Sequence, residues 1–153
     1  MSKTKGEAKH QARAWVDGAS RGNPGEAGFG VVIRNRKSVE EISGFLGRTT
    51  NNVAEYAALV AALTVAQHRS LEKLTIYSDS QLLVRQLTGT YRVKAPHLVP
   101  IFLHVLKLRQ SIPVFQIHHV PREENREADQ LANQAIDLRT PPPDWFELEL
   151  LRR

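Results

Sequence analysis

The sequence predicts an α/β domain: a mixed five-stranded sheet flanked by helices, with its elements in the order βββαβααβα. Three observations lead there. Three short apolar segments near the start are joined by turn-forming residues, which suggests an antiparallel meander. After Asn52 the apolar spacing changes to that of one helix face. Two further strand-like runs then alternate with helices, which favours parallel neighbours.

The first strand carries Ala14, Trp15 and Val16 and is expected to end at Asp17, where a turn rich in glycine begins (Gly18, Gly22, Asn23, Pro24, Gly25, Gly28). Residues 28–34 and 39–46 read as the second and third strands, with a hairpin-type connection at 35–38. Thr50, Asn51 and Asn52 are all suitable caps for a helix whose inner face holds Tyr56, Leu59, Val60, Leu63 and Ala66. Residues 74–78 form the fourth strand, closed by Asp79. Ser80 then caps a short helix that runs to Leu87 and stops at Gly89. Leu98, Ile101, Phe102, Val105 and Leu108 mark the next helix, where Pro100 is acceptable only in the first turn. Residues 114–120 are the fifth strand and 121–125 a polar loop. Residues 127–138 form the last helix, with Ala128, Leu131, Ala132, Ala135 and Ile136 inward. Pro141, Pro142 and Pro143 break away from it, and the apolar end (Trp145, Phe146, Leu148, Leu150, Leu151) either docks on the domain or meets a partner. The expected divisions are a loose polar tail over 1–11, a domain over 12–138 and a C-terminal tail over 139–153.

The 153 residues suffice for one core, and with no cysteine there is neither a disulfide nor a thiolate metal site. That usage fits a cytoplasmic protein. No apolar run approaches the roughly 18 residues needed to span a bilayer. The net charge of +5 suits a polyanionic partner, and equally a solvated surface.

Four acids stand out. Asp17 and Asp79 each close an apolar strand, Glu55 points partly toward the apolar side of its helix, and Asp129 sits at the start of the last helix beside inward alanines. Each alone is an ordinary turn or helix-dipole acid. Together, leaving two strands and two helices toward one end of the sheet, they form an all-oxygen set suited to Mg²⁺ or Mn²⁺. Such a carboxylate-held pair of ions serves phosphodiester hydrolysis.

The chain resembles the type 1 ribonucleases H over about residues 12–138. The matching pieces are Val16-Asp17-Gly18-Ala19-Ser20 with Gly22-Asn23-Pro24-Gly25, then Thr49-Thr50-Asn51-Asn52 with Glu55, then Ser78-Asp79-Ser80-Gln81, and finally Asn125-Arg126-Glu127-Ala128-Asp129 with Leu131-Ala132. The resemblance implies a ribonuclease H-like fold and endonucleolytic cleavage of RNA paired to DNA, leaving 5′-phosphate and 3′-hydroxyl ends. It implies metal binding by Asp17, Glu55, Asp79 and Asp129, and the expected mechanism uses two ions with Asp17 shared between them. It also implies substrate contacts at Asn23, Asn51, Asn52 and Gln81 in the minor groove, where the 2′-OH marks RNA. Arg48 and Thr50 match a pocket for a phosphate of the DNA strand.

Two departures from the family pattern are visible. The histidine common in the loop before the last acid is absent, leaving either His119, which belongs to the fifth strand and is expected to be partly buried, or Arg122 or Glu123 in its place. The basic protrusion between the second and third helices is also absent. Tyr91, Arg92 and Lys94 in the loop 90–96 either line a DNA channel or are simply solvated, and a modest hybrid affinity follows. The expected partner is an RNA–DNA hybrid, bound by a monomer with no membrane attachment. The rival expectations are a non-catalytic hybrid- or double-stranded-RNA-binding module, a relative acting on DNA, and a piece of a reverse transcriptase.

Overall fold

A computed structural model describes residues 10–152. The expected order of elements is present: β1 (Gln11–Gly22), β2 (Gly25–Arg34), β3 (Val39–Thr49), α1 (Asn51–His68), β4 (Lys73–Ser78), α2 (Gln81–Leu87), α3 (Val99–Gln110), β5 (Val114–His119) and α4 (Arg126–Leu138). The sheet order is β3-β2-β1-β4-β5. β1, β2 and β3 pair antiparallel, while β4 runs parallel to both β1 and β5. Residues 1–9 of the expected tail lie outside the described residues. Gln11 is already in β1, and the carbonyl of His10 accepts from the N–H groups of Glu72 and Lys73.

The first strand does not end at Asp17. It continues to Gly22, paired with β2 down to the Gly22–Gly25 rung, so Asp17 is a mid-strand residue facing Gly30. What stops near Asp17 is the parallel ladder to β4, whose last rung is Val16–Ser78. Asp17 and Asp79 are the next residues of the two strands, at the point where these part. The small residues after Asp17 stay in the strand because β2 pairs with them, and Gly18 leaves room for a helix that passes close over it; composition alone suggested a turn. β2 and β3 are longer than expected for the same reason: their glycine-containing ends stay paired, with an irregularity at Ala27/Gly28.

Alternation along β1 sends Ala12, Ala14 and Val16 to one face and Arg13, Trp15 and Asp17 to the other. The first face meets α1, where Tyr56, Leu59 and Leu63 join Phe29, Val31, Leu74 and Ile76 in a solvent-excluded core. α4 lies on the opposite face through Ala128, Ala132, Ala135 and Ile136, over β2, β1 and β3; Leu131 is only half buried there.

Caps fix the helix starts. The Thr50 hydroxyl accepts from the N–H of Val53, and the Ser80 hydroxyl from that of Leu83. Gly89, just past α2, has φ +84, which suits a helix stop. After α4 the chain turns through Arg139 in the left-handed region, and the Phe45 N–H donates to the Thr140 carbonyl. The apolar end then packs on the domain, with Phe146 stacked on Phe29 at 4.9 Å. Among the described residues, no helix is long and apolar enough to cross a membrane.

Candidate active site

The end of the sheet where β1 and β4 part opens into a cleft of about 390 Å³, lined by Asp17, Glu55, Asp79, Asp129, Asn51, Arg122 and Asn133, among others. Sequence explains why two helices reach it. A Cβ at Gly18 would stand 2.3 Å from the backbone of Ala54 and Glu55, so the glycine lets α1 approach β1 and carry Glu55 beside Asp17. A Cβ at Gly30 would stand 2.3 Å from the Ala128 carbonyl oxygen, so α4 settles against β2 and brings in Asp129.

Asp17 is buried, and its Oδ1 accepts from the Gly18 N–H at 3.0 Å. Burial, reinforced by the neighbouring charge of Asp79, a hydrogen bond with Asp129 and the charge of Glu55, pushes its carboxyl up to about 9. Glu55 is also raised, chiefly by burial. Its Oε1 accepts from Asn51 Nδ2 at 2.8 Å, while its Oε2 is buried without a partner. The Ser80 hydroxyl favours the charged form from nearby, but its placement is not that of a hydrogen bond. Asp79 is raised by burial and by Asp129, against the pull of the Arg122 cation and the Asn125 amide. The Asn133 amide, one turn along α4, donates to the carbonyl oxygen of Asp129 at 3.0 Å and to its Oδ1 at 3.3 Å. Among the described residues, no three acidic or histidine side chains are already drawn into a closed ligand shell. The carboxylates share the cleft without being locked together.

The other expected residues fall into three groups. Asn51 lines the cleft, and the exposed Asn23 stands next to it without lining it: Asn23 Oδ1 accepts from the Asn51 N–H at 3.0 Å, tying the β1–β2 turn to the start of α1. Thr50 caps α1, Asn52 is half buried beside Ser80 and Glu55, and Gln81 is exposed at the start of α2. Arg48 is exposed on β3 opposite Glu26. Tyr91, Arg92 and Lys94 line a separate shallow depression with Leu82 and Thr90, and the Arg85 guanidinium donates to the Tyr91 hydroxyl.

His119 is on β5 as expected, but it is exposed and not partly buried, and it does not line the cleft; Arg122 does. The polar loop expected at 121–125 contains a 3₁₀ turn, Arg122–Asn125. Sequence reasoning assigned no role to Asn125 or Asn133. Asn125 is fully enclosed, and its Nδ2 donates to the Val16 carbonyl at 2.9 Å, pinning the turn above the strand that bears Asp17. Asn133 was legible as the residue four positions after Asp129 on the same helix face.

A mixed sheet with four carboxylates gathered where its central strands part defines the class, an α/β domain with an acid-lined cleft, and comparison with known proteins gives the family. Residues 15–135 match the family described as Reverse transcriptase-like. Ribonuclease HI of Halobacterium salinarum is 41% identical over 129 residues, covering 83% of this chain and 65% of that protein. The Bifunctional protein Rv2228c of Mycobacterium tuberculosis is 39% identical, covering 80% of this chain and 34% of that protein. The crystal structure of LC11-RNase H1 in complex with an RNA/DNA hybrid superposes with a TM-score of 0.78 at 40% identity, covering 83% of this chain and 97% of that one. The chain belongs to the ribonuclease H family, in its type 1 branch. It spans about two thirds of the first of these relatives and about one third of the second.

Proposed function

We propose that this chain is an endoribonuclease that hydrolyses the RNA strand of RNA–DNA hybrids, leaving 5′-phosphate and 3′-hydroxyl ends. The observation that carries this reading is the arrival of Asp17, Glu55, Asp79 and Asp129 at one cleft, with Glu55 Oε2 buried and unpartnered. Without cations such a buried cluster favours its protonated forms, and burial first, then the neighbouring acids, hold the Asp17 carboxyl so high. Positive charge resolves the conflict, and an all-oxygen donor set fits Mg²⁺ or Mn²⁺. Asp17, Glu55, Asp79 and Asp129 would hold two such ions, which when bound supply Lewis-acid stabilisation to the attacking and departing oxygens of a phosphodiester.

The remaining residues position and select. Asn51 holds Glu55 through its amide. Asn125 fixes the turn that carries Arg122, whose cation faces Asp79. Asn23, Asn51, Asn52 and Gln81 lie near the starts of α1 and α2, suited to reading a minor groove in which the 2′-OH distinguishes RNA. Arg48 and Thr50 suit a phosphate of the DNA strand, and Tyr91 and Lys94 a more distant stretch of the duplex. The reading is of a cytoplasmic monomer with the catalytic unit over 12–138. That LC11-RNase H1 was crystallised with a hybrid supports the choice of substrate.

The test is a labelled RNA–DNA hybrid offered with Mg²⁺ and with Mn²⁺, beside all-DNA and all-RNA duplexes of the same sequence. Cleavage confined to the RNA of the hybrid is expected, and Asp17→Asn abolishes it while the circular dichroism of the fold is retained. Undiminished turnover by that variant overturns the mechanism. Hybrid binding in EDTA without cleavage in either metal identifies a binding module instead.

A further inference from the structure

α4 packs over β2, β1 and β3, and among the described residues no other helix packs on the same face of β4 and β5. Two register-matched rows of side chains cross this open part. Trp15, Tyr77 and His118 are rung partners on β1, β4 and β5. Their rings follow one another at 5.0 Å with an interplanar angle of 25°, then at 5.9 Å with 32°. The next row is Arg34, Arg13, Thr75 and Gln116. The guanidinium groups of Arg13 and Arg34 stand 5.3 and 5.9 Å from the centre of the Trp15 ring. The hollow beside the rows, about 500 Å³, is lined by Arg13, Arg34, Arg36, Lys73, Tyr77 and His118 and other residues, with no carboxylate among them. Arg34 is already engaged by Glu127, which leaves Arg13, Arg36 and Lys73 as cations without an ion-pair partner among the described residues.

We infer that this open face is a second nucleic-acid site, taking an unpaired single strand. Three rings stacked across neighbouring strands form a row of about 10 Å at the ordinary strand spacing, with the cations of Arg13, Arg36 and Lys73 alongside it. The rings stack on one another, so the exposed ring of His118 on the edge strand β5 leaves the outer end of the stack open, and an unpaired base of any kind can extend it there. The surrounding cations meet the phosphates. A duplex keeps its base faces internal, so the rings select an unpaired strand. The site is separate from the carboxylate cleft: the turn held by Asn125 crosses β1 at Val16 and sets Glu123 and Glu124 between them. The acids repel a strand that would run straight across, so the two sites bind independently.

The experiment uses the full chain in EDTA, which removes turnover, and a fluorescein-labelled twelve-residue oligouridylate read by anisotropy. The variants are Arg13→Glu with Lys73→Glu, and His118→Ala. The double charge reversal is expected to weaken binding at least tenfold. It lowers the slope of log affinity against log salt by about 1.4, the share of two phosphate contacts on a single strand. Loss of the His118 ring weakens binding about fivefold. A blunt RNA–DNA hybrid in excess leaves a bound fraction of the oligonucleotide in place, and cleavage of that hybrid with Mg²⁺ is unchanged in both variants. Equal affinity of wild type and the charge-reversed variant overturns the inference, as does complete displacement by the blunt hybrid. A self-associated species that dissociates on charge reversal, with oligonucleotide affinity unaltered, also overturns it and assigns the face to protein contact. Thermal midpoints of the variants near that of wild type exclude misfolding as the cause of lost binding.

Discussion

The two faces of the sheet are built on opposite terms. Toward α1, Val16, Phe29, Val31, Leu74 and Ile76 meet Tyr56, Leu59 and Leu63, and water is excluded throughout. Toward α4 the layer is thin: glycines and Val32 against alanines, then a polar and aromatic stretch with no helix of the described residues above it. The thick face supplies the stability, and the thin face supplies approach distances. Asp17 and Asp129 both belong to the thin side. Glu55 comes from the thick side and reaches the cleft only because Gly18 lets α1 come close. Conformation at the site therefore depends on missing side chains more than on large ones.

The contrast can be broken from either side. Leu59→Ala empties the thick face and is expected to cost about 3 kcal/mol in urea unfolding, with cleavage per folded molecule retained. Gly18→Ala forces a methyl group against the α1 backbone. It is expected to cost about 2 kcal/mol, and unlike Leu59→Ala it also lowers kcat by an order of magnitude or more, because Glu55 moves with the helix. A Gly18→Ala enzyme with normal kcat would show that helix approach does not set the site.

The pH dependence sharpens the same point. The folded Asp17 carboxyl titrates near 9, against an ordinary value of 3.8, so the folded state holds its proton more tightly than the unfolded chain does. The stability this confers is complete below about pH 4 and is lost progressively as pH rises toward 9. Thermal midpoints in EDTA should fall across that window. Asp17→Asn should flatten the profile, and Mg²⁺ or Mn²⁺ should restore the loss in wild type alone. The smallest effect belongs to the surface: Glu127→Gln, which releases Arg34, should change stability by about 0.5 kcal/mol or less.

Much of this was legible in the sequence because it rests on periodicity and caps. The apolar spacing of α1, the hydroxyls of Thr50 and Ser80 and the order of strands and helices are local properties. The family motifs placed the four acids in chain order. What local reading missed came from pairing between distant segments. Glycines after Asp17 suggested a turn, yet pairing with β2 keeps them in a strand, and Gly18 serves a helix more than thirty residues away. Asn125 looked like a loop residue because its partner, the Val16 carbonyl, is 109 positions earlier. His119 was expected to be partly buried because it follows the apolar pattern of β5, but the strand lies at the border of the sheet and its side chain is exposed.

The segment following α4 has a consequence for solubility. β3 is the outer strand on its side, and a bare outer strand is a template for aggregation. The Thr140 carbonyl takes the Phe45 N–H at 2.7 Å, and Pro142 packs over Gly44. Pro141, Pro142 and Pro143 have no N–H to donate, so the strap that covers this border at Phe45 is itself a poor template for a further strand.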